Sequence, residues 1–178
     1  KDFLKDIKLT KAYSSSMDRP RETAEIILES HPEIKLLLDN KLVEIGHGLW
    51  EGKLESEIKQ QWPELLKAWQ KSPDEVQMPE GETITTVWDR ANKAWEEICS
   101  TLTKGDIALV VAHDAVNKTL ICNILGINYS NIWMIKQGNG GITVIDLSEE
   151  EDQPDTIICL NITSHLGGII DSTAAGAL

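Results

Sequence analysis

Apolar positions along the first eighty residues come in short groups, and their spacing predicts small elements separated by polar turns. Phe3, Leu4 and Ile7 stand at helical spacing with no capping residue ahead of them, which predicts a helix entered in its middle. Lys11 to Ser15 reads as a short strand. Asp18 to Leu28 follows as a helix whose apolar part is Ile26, Ile27 and Leu28; Pro20 falls in its first turn, where a missing N–H costs little. Lys35 to Leu38 predicts a second short strand. It leads into a glycine-punctuated loop, Glu44 to Gly52. Leu54, Ile58, Leu65, Leu66 and Trp69 then lie on one side of a helical stretch that Pro63 breaks or restarts. Ser72 to Glu82, with Pro73, Pro79 and Gly81, reads as a loop.

The clearest helix runs from about Thr83 to Leu102. Val87, Trp88, Ala91, Ala94, Trp95 and Ile98 recur at three- and four-residue steps and make one broad apolar face. Lys104 and Gly105 close it. Ile107 to Ala112 is continuous and apolar, as a strand covered on both faces tends to be. His113 and Asp114 end that strand, and Ala115 to Leu125 has helix character with Gly126 as its stop. Ile142 to Leu147 and Thr156 to Asn161 predict two further strands, joined by the acidic turn Ser148 to Asp155. Strands alternating with helices predict an α/β fold: a three-layer α/β/α sandwich on a mostly parallel sheet, with an antiparallel edge near the end. Residues 1–166 form one domain in this reading, and 167–178, rich in small residues, a loose C-terminal tail.

Composition narrows the function classes. With 178 residues, 41% of them hydrophobic, the chain suffices for one ordinary core. Its longest apolar run, Ile107 to Ala112, is far too short to span a bilayer, and the acidic residues in Lys1 to Lys8 do not fit a signal peptide. Cys99, Cys122 and Cys159 sit singly, which predicts reduced thiols in a cytoplasmic compartment and no zinc site. A net charge of −12 argues against a nucleic-acid surface. It leaves room for a small phosphorylated metabolite, which needs only a local cluster of donors.

Four residues carry candidate chemistry. His113 stands where a strand gives way to a helix, the place at which ligands of open α/β sheets gather and helix N–H groups favour an anion; otherwise it merely finishes the strand against a neighbouring carbonyl. Arg19 lies at a similar corner, in the first turn of a helix, where the dipole disfavours a cation unless an anion is bound; the other reading is a solvated arginine like its neighbour Arg21. Glu44 precedes a loop in which Trp50 can exclude water, and a partly desolvated carboxyl can donate a proton near neutral pH; most glutamates are simply solvated. Asn139, among glycines ahead of a strand, either offers an amide to a ligand or belongs to a plain turn. His47 reads as a structural or surface residue and not a catalytic one, and His165 is assigned no chemistry. Pro79 to Thr83 either folds over a pocket or supplies Thr83 as a helix cap. The tryptophans at 62, 69, 88, 95 and 133 read as packing, since no basic groove accompanies them.

Taken together, Tyr13-Ser-Ser-Ser-Met-Asp-Arg-Pro-Arg-Glu-Thr-Ala24, Leu42-Val-Glu-Ile-Gly-His-Gly-Leu-Trp-Glu-Gly52, Pro79-Glu-Gly-Glu-Thr83, Val110-Val-Ala-His-Asp-Ala-Val-Asn117 and Asn139-Gly-Gly-Ile-Thr-Val-Ile-Asp146 resemble the histidine phosphatase superfamily, the phosphoglycerate mutase-like fold. They occur in the family's order. The piece around His113 is similar to the branch containing carboxyarabinitol phosphate phosphatase. The resemblance implies hydrolysis of a small phosphate monoester, a sugar phosphate, through a phosphohistidine, with no metal and no cofactor. It implies that Arg19 holds the phosphoryl group, His113 stabilises its charge, Glu44 protonates the leaving alcohol and Asn139 lines the pocket.

The family's nucleophile lies in an Arg-His-Gly motif on a first strand, and this sequence contains no Arg-His-Gly. The expectation is therefore a domain missing its first strand, with a missing or separate N-terminal segment as its partner and little activity of its own. Asp114 stands where the family tends to have glycine, and a carboxylate there repels a phosphate unless it points away. Two rival readings stay open: a non-catalytic phosphate-binding or scaffold domain, and a phosphoglycerate-type mutase.

Overall fold

The computed structural model describes residues 1–150 and 152–167. The larger sheet has three parallel strands in the order β2–β1–β3: β1 (Lys11–Ser15), β2 (Leu36–Asp39) and β3 (Ala108–Val111). Side chains alternate across a strand, and this alternation divides the core. Ala12, Leu36 and Leu109 stand in register on one face. They pack with Leu9, Ile27 and Leu28, the last two from helix α1 (Asp18–Leu28). On the other face Tyr13, Ala108 and Val110 meet the main core. That core is built on α2 (Glu55–Gln61), α3 (Pro63–Lys71), α4 (Ile84–Ser100) and α5 (Asp114–Ile124). The three-layer arrangement read from the sequence follows directly.

Helix α4 forms where the periodicity placed it. Thr83 caps it, its Oγ1 accepting the Thr86 N–H at 3.1 Å; such a cap stabilises a helix by about 1 kcal/mol. Ile84, Val87, Ala91, Ala94 and Ile98 make its buried stripe, and each large member contributes about 1.5–3 kcal/mol by leaving water. Trp88 and Trp95 sit half-buried at the margin of that stripe. Strands β4 (Ile142–Asp146) and β5 (Thr156–Ile162) pair antiparallel as a separate two-stranded sheet. It shares the main core through Ile157.

Three expectations need correction. Phe3, Leu4 and Ile7 lie in consecutive turns, closed by Leu4 N–H to Lys1 O and Ile7 N–H to Leu4 O, not in a helix; so few residues cannot offset the cost of helix nucleation. Leu54 leaves the apolar side of its stretch: it precedes α2 and is 69% exposed. Strand β3 is only half-buried along its length. Among the described residues it pairs with β1 on one edge alone, so an apolar composition here does not mean full cover. The predicted tail lies, beyond Gly167, outside the described residues. No helix among the described residues is long and apolar enough to cross a membrane.

Candidate active site

Parallel pairing of β1 and β3 sets Ser14 level with Val111, so the two strands end side by side and release their chains at one corner. From β1 the chain enters α1 through Ser15, Ser16 and Met17; from β3 it enters α5 through Ala112 and His113. Across this corner His113 Nε2 lies 3.0 Å from Ser15 Oγ, and Ser15 Oγ also accepts the Met17 N–H at 3.2 Å. The imidazole is therefore tied to the end of the neighbouring strand and is only 7% exposed. Burial first, then the charges of Arg19 and Arg90, push its pKa down to about 4. It is a neutral ring within electrostatic reach of two guanidinium groups.

Arg19 sits in the first turn of α1 and is exposed. Its guanidinium has no hydrogen-bond or ion-pair partner among the described residues, whereas Arg21 is engaged by Asp18 at 2.7 Å and Glu25 at 3.9 Å. An unpaired guanidinium at the positive end of a helix, beside a neutral imidazole, makes a local field open to an anion. Arg19 thus lies close enough to His113 for its charge to lower the imidazole pKa.

Glu44 reaches the same corner from the loop after β2. Its Oε2 accepts the Asp114 N–H at 3.2 Å and its Oε1 the Ile45 N–H at 3.0 Å. The free N–H groups expected to receive a ligand at the start of α5 thus receive Glu44 instead. Burial raises the pKa of this carboxyl, the Ile45 N–H opposes the rise, and the nearby Asp114 charge adds to it; the net direction is up. Glu44 consequently retains a proton to higher pH than an ordinary glutamate.

Asp114 does not aim an uncompensated charge at this corner. Its Oδ2 accepts from Lys118 Nζ at 2.7 Å, one helical turn on. Lys118 is 7% exposed, and its Nζ lies 4.9 Å from the centre of the Trp133 ring. Ser15 and Lys118 are site residues that the sequence reading passed over, although an Asp and a Lys four apart at the start of a predicted helix are a readable pair.

Two loops interlock beside the residue that carries the carboxyl, Glu44. Leu49 N–H donates to Pro79 O at 2.9 Å and Glu82 N–H to Gly46 O at 2.7 Å. A Cβ on Gly48, which has φ +56°, would stand 2.1 Å from Pro79 O. Pro79 to Thr83 thus both packs over the Glu44 loop and supplies the cap of α4. His47 is half-buried with its ring edge-on to Trp69, 6.4 Å between centres; burial lowers its pKa. Asn139 is exposed in the turn before β4. No hydrogen bond or ion pair among the described residues links it to Arg19, His113 or Glu44. His165 stacks on Phe3 at 4.8 Å and meets Gly140 O at 3.0 Å. No group of three or more His, Cys, Asp or Glu among the described residues is placed to hold a metal ion.

Residues 1–159 match the histidine phosphatase superfamily (branch 1). Phosphoserine phosphatase 1 of Hydrogenobacter thermophilus is 30% identical over 155 residues, covering 87% of this chain and 71% of that protein. The 2-carboxy-D-arabinitol-1-phosphatase of Triticum aestivum is 33% identical over 149 residues, 84% of this chain but 30% of its own length. The chain therefore spans under a third of the wheat relative. Among solved structures, Bacillus stearothermophilus YhfR superposes with a TM-score of 0.79 at 28% identity, over 88% of this chain and 76% of that one. A mycobacterial glucosyl-3-phosphoglycerate phosphatase in complex with VO3 has a TM-score of 0.77 at 21% identity, over 90% and 80%; this last likeness is one of fold.

Proposed function

The chain belongs to the histidine phosphatase superfamily, and from that premise we propose that it builds the phosphate-ester pocket of a hydrolase acting on a small phosphate monoester, a sugar phosphate by class. The observation that carries the reading is the corner itself: His113, whose pKa burial and the Arg19 charge lower, and Glu44, whose pKa burial raises and whose carboxylate meets the start of the same helix. Arg19 holds the phosphoryl oxygens and His113 donates a hydrogen bond to them as charge develops. Asn139 is proposed as a peripheral residue of that pocket.

The reaction runs in two displacements. A histidine nitrogen attacks phosphorus, the N–P bond forms, the ester P–O bond breaks, and the Glu44 proton passes to the leaving alkoxide. Water then attacks phosphorus, Glu44 takes its proton, the N–P bond breaks and inorganic phosphate leaves. His113 is occupied with Ser15 and with charge stabilisation, so the nucleophile is a different histidine. We place it on an extended segment bearing Arg-His-Gly, which adds to the open edge of β3 by main-chain hydrogen bonds. The division of strands into separate sheets of three and two among the described residues supports that placement. Neither metal nor cofactor enters these steps. By itself the chain is proposed to bind phosphate without turnover.

The test is hydrolysis of para-nitrophenyl phosphate by the protein that carries the Arg-His-Gly segment together with these residues. Turnover is expected, and His113→Ala lowers it by about 100-fold or more, as loss of one charge-stabilising donor does. A second reading, a non-catalytic phosphate-binding domain, draws on one observation: no Arg-His-Gly occurs in this sequence. Phosphate binding with no turnover in that protein establishes the second reading and ends the first. Return of labelled phosphate to the product, instead of release to water, identifies a mutase.

A further inference from the structure

The stretch that carries Glu44 has little structure of its own. It lies between two single-turn segments, Asn40–Leu42 and Gly48–Trp50, and half-buried backbone groups in such a stretch need partners from elsewhere. Arg90, on α4, supplies them. Its Nη1 donates to Lys41 O at 2.8 Å and to Val43 O at 2.6 Å, and its Nη2 to Glu44 O at 3.1 Å. The remaining donors go to Glu82: Nε to Oε1 at 3.0 Å and Nη2 to Oε2 at 2.9 Å. Glu82 Oε2 in turn accepts the Gly46 N–H at 2.9 Å.

One guanidinium and one carboxylate thus fix the carbonyls of residues 41, 43 and 44 and the amide of residue 46, on both sides of the Glu44 Cα. With the backbone held on each side, the Glu44 side chain reaches the start of α5, where it meets the Asp114 N–H. The work suits arginine, whose rigid planar fork can address three carbonyls and a carboxylate together; a lysine ammonium cannot. The partners are well shielded, with side-chain exposures of 16% for Arg90 and 28% for Glu82. Burial alone raises the Glu82 carboxyl, yet the hydrogen bonds from Arg90 and from the Gly46 N–H bring it below its ordinary range. The pair stays ionised.

We infer that Arg90 and Glu82 are a positioning pair for Glu44, holding the proton donor against the start of α5 through the backbone that carries it. This rests on the reading of Glu44 as the acid, and it makes Arg90 more than an ion-pair partner of Glu82. A pair serving only fold stability needs the two charges; a positioning pair needs the guanidinium fork at residue 90 in particular.

The test follows the Asp114 amide by NMR as pH is varied, because an N–H bonded to a carboxylate reports that carboxylate's titration. In the unaltered chain the Asp114 amide is expected to titrate with Glu44. Arg90→Lys keeps the charge and loses the fork, and it is expected to uncouple the Asp114 amide from Glu44 while the amides of α4 and α5 stay dispersed. Glu82→Gln keeps an acceptor for Gly46 and is expected to retain the coupling. Exchanging the charges, Glu82→Arg with Arg90→Glu, is expected not to restore it. In the protein competent for turnover, Arg90→Lys is expected to lower kcat by about 100-fold with KM within about twofold, as a small misplacement of a reacting group does. Retained Asp114–Glu44 coupling in folded Arg90→Lys, or rescue by the charge exchange, overturns the inference. The amide readout needs no turnover, so it judges positioning even where the phosphatase reading fails.

Discussion

At the scale of single residues, the site works by moving two groups away from their ordinary proton affinities in directions that suit opposite tasks. Burial and two guanidinium charges hold His113 neutral down to about pH 4, while burial and the Asp114 charge raise the Glu44 pKa above its ordinary value. The histidine shift has a stability consequence with a definite sign. An unfolded histidine takes up a proton near pH 6.5, but the folded one does so only near 4, so between these values the unfolded state binds more protons. The contribution is fully present above about 6.5 and is lost as pH falls towards 4, to a limit of about 3 kcal/mol. Urea unfolding at pH 7 and pH 4.5 should therefore show a larger acid loss for the native chain than for His113→Gln. Equal losses in the two proteins contradict the shift. The Asp114–Lys118 pair belongs to the same scale: it compensates a carboxylate that would otherwise repel a phosphate.

At the scale of elements, the loop bearing Glu44 depends on close backbone approach at one glycine and not at another. Gly48 and Gly52 both have positive φ, +56° and +72°, but only Gly48 has backbone against its Cβ position, with Pro79 O at 2.1 Å. Gly52→Ala is expected to cost about 1–2 kcal/mol from the left-handed conformation alone. Gly48→Ala should cost at least about 2 kcal/mol more, since the loop must separate from residues 79–81. Thermal or denaturant unfolding of the two variants checks the difference, and equal costs would show that the loops are not interlocked. The long periodic helix and the strand runs were legible in the sequence; the order β2–β1–β3 was not, since apolar spacing does not say which neighbour a strand takes. Val87, Ala91, Ala94 and Ile98 repeat one spacing rule along α4, which is what made that helix readable. The turns at Phe3 to Ile7 were not, because three apolar residues at helical spacing carry no information about nucleation. Arg90 was illegible for a different reason. A charged residue beside an apolar stripe looks solvated, and its actual partners at 41, 43 and 44 lie 46–49 positions away in the chain. Conversely, Arg19, Glu44 and His113 could be picked out because each stands at a junction of elements, where periodicity ends and backbone groups are left to be answered.

At the scale of the whole molecule, a net charge of −12 surrounds a corner where Arg19 and Arg90 disfavour a positive charge on His113. The two are compatible because the distant acidic groups are screened by solvent, while Arg19 and Arg90 act on His113 at close range. The parallel order β2–β1–β3 is what creates that corner, since it brings the ends of β1 and β3 together on one side of the sheet. Arg19 and His113 are proposed to form one anion pocket. Titrating inorganic phosphate into the chain, with the His113 ring followed by NMR across pH, tests it most directly. A bound phosphate should carry the His113 titration from about 4 back towards 6.5 or above, and Arg19→Met should abolish that effect. A His113 titration that phosphate leaves unchanged, or that responds equally in Arg19→Met, would contradict the claim.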